Sequence, residues 1–168
     1  MQPLIRPIET QDWAAIMRVQ SLAYPADFLE SEAALRAKQL IEPHVCRVLE
    51  IDQQVNAYCL AHAWLAGVVP SLHSTHSGDC ESPNLFIHDM AIAPAVAGRG
   101  YARQLFNHIR TGAITAGFQS ISLVAVQQSA PFWEKQGFSR TTIAIPESYG
   151  EDACYMTQAL VRTTQIAQ

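Results

Sequence analysis

No stretch of this 168-residue chain is apolar for long enough to span a bilayer. Its opening, Met1-Gln2-Pro3-Leu4-Ile5-Arg6, lacks the basic start, apolar middle and small-residue cleavage site of an export signal. Both absences lead us to expect a cytoplasmic protein that makes no use of a membrane. Charge is sparse, at 15% of residues, and the balance is −4, which argues against nucleic acid as a partner. Mild acidity is compatible with a cationic substrate but does not require one. Four cysteines, Cys46, Cys59, Cys80 and Cys154, show no C-x-x-C spacing and read as reduced thiols, two or three of them on buried strands. The chain contains no internal repeat or low-complexity tract. Its length fits one domain, residues 1–168, with room for a hydrophobic core, and suits a monomer or a homodimer equally.

The patterning alternates between strand and helix. Leu4 to Glu9 reads as a first strand, and Thr10 as the N-cap of a helix whose stripe is Trp13, Ile16 and Met17. Ser31 caps a second helix, Glu32 to Leu40. His44 to Ile51 and Val55 to Leu65 form a hairpin around Asp52-Gln53-Gln54, although the strong Asn-Gly turn signal is missing. Gly67 to Asn84 is a long surface loop, a kind of segment that is often functional. Next come a strand, Leu85 to Ala93, and a helix, Gly98 to Ala116, stopped by Gly117. Ile121 to Val126 is an apolar strand buried on both faces. A short helix, Pro131 to Gln136, precedes two last strands, Phe138 to Ile145 and Asp152 to Leu160. This order predicts an α/β domain with a partly antiparallel sheet.

Between the strand and the long helix lies Gly98-Arg99-Gly100. A helix start carries unpaired N–H groups and a partial positive charge, and glycines let an anion approach the backbone. A tight turn alone would also use them. A P-loop is excluded because Arg103-Gln104 stands where Lys-Ser/Thr is needed, and a dinucleotide fingerprint because Arg103 replaces the third glycine.

The segment "AIAPAVAGRGYARQL" resembles the acyl-CoA-binding segment of the GNAT superfamily of N-acetyltransferases, R/Q-x-x-G-x-G/A. Gly100 and Ala102 match the pattern, and Ala97 departs from it. "PFWEKQGF", Pro131 to Phe138, is similar to the family's F-Y-E-K-x-G-F segment. The resemblance implies a GNAT-type fold: a mixed sheet of about seven strands with about four helices, splayed between the fourth and fifth strands. It implies acetyl-CoA as co-substrate with no metal, and an amine as acceptor, on a small molecule or a protein. The implied CoA contacts are Met90, Ala91 and Ile92 on the strand, then Ala97, Gly98, Arg99, Gly100, Tyr101, Ala102 and Arg103 at the turn, and Gln128 and Phe132 beyond the next strand. Arg99 and Arg103 either pair with phosphate or are solvated.

An alkylamine has a pKa of about 10.4, so its neutral form at pH 7 costs roughly 4–5 kcal/mol, against about 2 kcal/mol for a departing thiolate. The base therefore matters more than the acid. His88 and Asp89 are the base candidates; strict alternation would place them on opposite faces. Trp133 occupies the position where many family members carry a Tyr proposed to protonate the CoA sulfur, and it is read as packing. Ser129, Tyr149 and Tyr155 remain as hydroxyl donors in its place. Tyr24, Glu30 and Tyr149 are candidates for the acceptor pocket. His73, His76 and Cys80 offer three ligands at most, too few for a zinc site. A CoA-binding sensor without turnover is the alternative function.

Overall fold

A computed structural model describes residues 2–75 and 81–161. Seven strands, β1 (Leu4–Pro7), β2 (Arg47–Ile51), β3 (Gln54–Ala63), β4 (Asn84–Ile92), β5 (Ser120–Ala125), β6 (Ser139–Thr141) and β7 (Cys154–Ala159), form one sheet in the order β1-β2-β3-β4-β5-β7-β6. The β4–β5 pair is parallel and the other neighbours are antiparallel. Helices α1 (Trp13–Ala23) and α2 (Glu32–Ile41) pack against β3. On this face Trp13, Ile16, Val19 and Leu35 meet Tyr58 and Leu60. Helix α3 (Tyr101–Ala116) and the short α4 (Ala130–Lys135) belong to the other core, where Leu105, Phe106 and Ile109 meet Leu85, Ile121 and Leu123. The expected GNAT-type architecture is the observed one.

Local signals explain most boundaries. The Ser31 hydroxyl accepts the Ala34 N–H, capping α2 as its sequence predicts. Gly117 ends α3 at φ 92°. The β2–β3 hairpin turns through Asp52 and Gln53 at φ 52° and 62°, a two-residue primed turn made without glycine. Helix α1 differs from expectation. Thr10 is not its cap; a 3-10 turn over Thr10–Asp12 precedes it, and the Asp12 carboxylate accepts the Glu9 N–H and an Arg6 ion pair. The sixth strand is also shorter than expected: only Ser139–Thr141 pair, all exposed at the sheet edge. Ile143 and Ile145 are half-buried outside the ladder.

β4 and β5 pair from Asn84↔Ser120 to Ile87↔Leu123, and beyond that point they splay. β3 and β4 change register between Leu60 and Ala61: Leu60 faces Asp89 while Ala61 faces Ile87, leaving His88 as the extra residue of a bulge. The bulge resets the alternation. Leu85 and Ile87 belong to the α3 face, as do Met90 and Ile92 after it. Phe86 and His88 stack on His62 on the α1 face, where Asp89 and Ala91 also point. His88 and Asp89 therefore share a face, and the expectation from strict alternation is corrected.

Candidate active site

The splay opens a cavity of about 280 Å³ between β4 and β5. Its β4 wall is a strand edge with no neighbouring strand beyond Ile87. The Ala93 N–H donates to Asn56 O on β3, so by parity Ala91 and Ala93 turn their backbone groups to β3 and Met90 and Ile92 turn theirs to the gap. On the α3 side, Ala102, Ser129, Phe132 and Trp133 line the cavity. On the opposite side are Tyr24, Phe28, Glu30, Leu72 and Tyr149.

The second wall is built from three loop segments held to one another. The Tyr149 hydroxyl donates to Pro70 O at 2.6 Å. The His73 N–H donates to Glu30 Oε1 at 2.7 Å. Phe28 lies against Gly150, where an added Cβ would stand 3.6 Å from its ring. Gln20, buried on α1, clamps Glu30 through both of its backbone groups, accepting the N–H at 2.8 Å and donating to the carbonyl at 3.0 Å.

Two buried carboxylates sit in the cavity with different partners. Glu30 Oε2 lies 2.6 Å from His88 Nε2, both side chains being almost fully buried. Burial alone would raise the Glu30 pKa; the His88 hydrogen bond and charge and the His73 N–H outweigh it, so the net shift is downward. An ionised Glu30 only accepts, so His88 carries a proton on Nε2 and keeps the Nδ1 lone pair in its neutral form. Nδ1 is buried and has no hydrogen-bond partner. Asp89 instead accepts the hydroxyls of Tyr24, at 2.7 Å, and Tyr58. Burial raises the Asp89 pKa against the pull of these two donors. Burial and the Asp89 charge likewise hold both tyrosines protonated. The Tyr24 hydroxyl also stands 3.1 Å from the Met90 carbonyl, at the mouth of the gap.

At the head of the gap, Gly98 and Gly100 have φ 76° and 82°, and a Cβ on either would meet nothing within 4 Å. The first intrahelical bond of α3 is Gln104 N–H to Gly100 O, which leaves the N–H groups of Tyr101, Ala102 and Arg103 free of helical partners. Arg99 and Arg103 are exposed beside them. An unpaired strand edge leading to an anion-receptive helix start fits a pantetheine arm ending in pyrophosphate.

The model of the Acetyltransferase (GNAT) family matches residues 13–138. The chain belongs to that family. Solved structures of GNAT proteins share the fold. The ribosomal-protein-S18-alanine N-acetyltransferase from Escherichia coli superposes with a TM-score of 0.74 at 17% identity, over 99% of both chains. The GNAT-like decarboxylase GphF in complex with isobutyryl-CoA gives 0.79 at 16% identity, over 94% of this chain and all of that one. N-acetylglutamate synthase from Neisseria gonorrhoeae, complexed with coenzyme A and N-acetyl-glutamate, gives 0.67 at 16% identity, over 96% of this chain and 36% of that one. Identities this low show the fold alone. No curated protein matches the chain in sequence.

Within this GNAT fold the candidates part company. His88, Asp89, Ser129, Met90, Ala91, Ile92, Ala102, Phe132, Tyr24, Glu30 and Tyr149 all reach the cavity. Tyr155 does not line it. It is buried, and its hydroxyl accepts the Gly67 N–H at 2.9 Å. Gln128 does not line it either. Consecutive left-handed residues, Gln127 at φ 52° and Gln128 at 57°, swing the chain so that Gln127 lines the cavity while the Gln128 N–H donates to Asp152. Trp133 packs edge-on against Phe106, Phe132 and Phe138, as a packing role requires. Cys46 and Cys59 are buried free thiols and Cys154 is half-buried. Cys80 and His76 lie outside the described residues.

Several contributors escaped sequence reading. Gln20, Tyr58 and Lys38 are buried polar residues behind the two carboxylates, and each interrupts an otherwise apolar stripe or strand, the one signal that could have found them. Burial lowers the Lys38 pKa while the Glu30 charge opposes the shift.

His62, on β3, belongs to the core. It is fully buried, and its Nε2 is unpaired while Nδ1 meets Ala63 O. Burial pushes its pKa from 6.5 down to about 4, with the charges of His88 and Lys38 adding to the effect. A depressed histidine lends stability above pH 6.5 that is lost as pH falls toward 4, here roughly 3 kcal/mol. Urea unfolding across this window should show that loss, and His62→Gln should remove most of its slope. An equal slope in the variant would place the acid-sensitive group elsewhere.

Proposed function

We propose that this protein transfers the acetyl group of acetyl-CoA to a primary amine, of a small molecule or a protein, by direct attack on the thioester. The observation that carries this reading is the continuity of one cavity, from the strand edge of β4 at Met90 and Ile92 to the buried His88–Glu30 pair. CoA supplies a thioester whose carbonyl is electrophilic and whose thiolate leaves readily. The protein supplies position and proton handling. The Met90 N–H, turned to the gap, receives the carbonyl oxygen as negative charge grows on it. His88 Nδ1, oriented by Glu30 on the far nitrogen, takes a proton from the amine. The amine nitrogen then forms the C–N bond while the C–S bond breaks and its electron pair goes to sulfur. An ammonium substrate gives up two protons in all: one ends on the CoA thiol and one in solvent. Ser129, on the cavity wall, supplies the hydroxyl that Trp133 lacks. Gly98 and Gly100, with Arg99 and Arg103 beside them, take the pyrophosphate.

Trp133 favours a second reading, a CoA-binding sensor without turnover, because the indole is committed to an aromatic cluster and titrates nothing. Acetyl-CoA with a broad amine panel, followed by thiol release, separates the two. The transferase reading expects acceptor-dependent thiol. Calorimetric CoA binding with no thiol from any amine would favour the sensor.

A further inference from the structure

Resting on the transferase reading, the structure assigns the acceptor a chemical class: a small primary amine with an apolar or aromatic body and no carboxylate of its own. The acceptor side of the cavity is Tyr24, Phe28, Leu72 and Tyr149, with Glu30 and Asp89 at its floor. Aromatic faces and carboxylates both attract an ammonium head, and the rings cover an apolar body. Among the described residues the cavity lining contains no arginine and no lysine. The nearest buried cation, Lys38, does not line it, and His88 is engaged by Glu30. An acceptor carboxylate would therefore be desolvated beside two acidic side chains with no cation to receive it, an arrangement that is strongly unfavourable.

The wall is also too closely tied to yield easily. Tyr149 is fixed to Pro70, Glu30 to His73 and Gln20, and Phe28 lies against Gly150. With about 280 Å³ shared between donor arm and acceptor, the cavity favours a compact amine. The same absence of cations disfavours an acyl donor that ends in a carboxylate.

The test uses matched pairs. Acetyl-CoA is given with phenethylamine or phenylalanine, and with isoamylamine or leucine, alongside a short peptide with a free N-terminus, and thiol release is followed. We expect kcat/KM for each amine to exceed that of its amino acid by at least about 100-fold, with the peptide no better than the amino acids. Leu72→Arg, which adds a cation to the wall, should narrow that ratio by about 10-fold or more with the KM for acetyl-CoA unchanged. Ratios within about threefold, or preference for the amino acids or the peptide, overturn the acceptor class and leave the transferase intact. No thiol from any acceptor, with acetyl-CoA still bound, overturns the transferase reading itself.

Discussion

Gly100→Glu is expected to raise the Kd for CoA by at least about 100-fold, measured by calorimetry. Gly100 stands at the start of α3 with φ 82°, exposed, in front of three N–H groups that have no helical partner. An added Cβ there meets no protein atom within 4 Å, so the new side chain is free to occupy the space where the pyrophosphate is placed. Two like charges about 4 Å apart near a protein surface repel by roughly 4 kcal/mol. That exceeds the roughly 2.7 kcal/mol that a 100-fold loss requires. The left-handed backbone adds about 1–2 kcal/mol of strain, a fall in Tm of a few degrees. Gly100→Ala carries the strain without the charge and should bind CoA within about tenfold of the unmodified protein. Equal affinity in the glutamate variant would remove the phosphate site from this turn.

His88→Gln should lower kcat by about 10²–10⁴, the usual worth of a positioned general base, while the Kd for CoA stays the same. Glutamine keeps a donor for Glu30, so the buried carboxylate is not left alone; alanine would risk folding for that reason. The pH profile is the sharper readout. If Nδ1 takes the proton, the rise of rate with pH should flatten in the variant. Glu30→Gln keeps an acceptor for Nε2 but removes the charge that favours the imidazolium, and should weaken catalysis less. An unaltered profile in His88→Gln would move the proton to Asp89 or to a water chain. Asp89 is less suited by its contacts, because both of its oxygens already accept tyrosine hydroxyls.

The structure of the turn and strand proposed to hold the donor was legible because it is encoded locally. Gly98 and Gly100 mark positive φ, Gly117 marks a helix end, and the apolar run from Ile121 marks the central strand. The acceptor half is not local. The bulge at His88 arises from a pairing with Leu60 and Ala61 far away in the chain, and it overturned an alternation that was correct on either side of it. Glu30 looks like any loop carboxylate until His88 and His73 close on it. The Tyr155 hydroxyl accepts the N–H of Gly67 across 88 residues. Each of these contacts depends on a partner distant in sequence, which periodicity and capping rules do not see.

The division of labour between sheet and loops has one more consequence. The strand edge, the bulge and the head of α3 are held by ladder and helix hydrogen bonds, whereas Phe28, Leu72 and Tyr149 belong to segments outside every strand and long helix. Substitutions in those three segments leave the main hydrogen-bond network of the fold untouched. Residues facing the acceptor side can thus change while the strand ladder and the helix start stay in place, and a lineage could change its nucleophile by redrawing three loops.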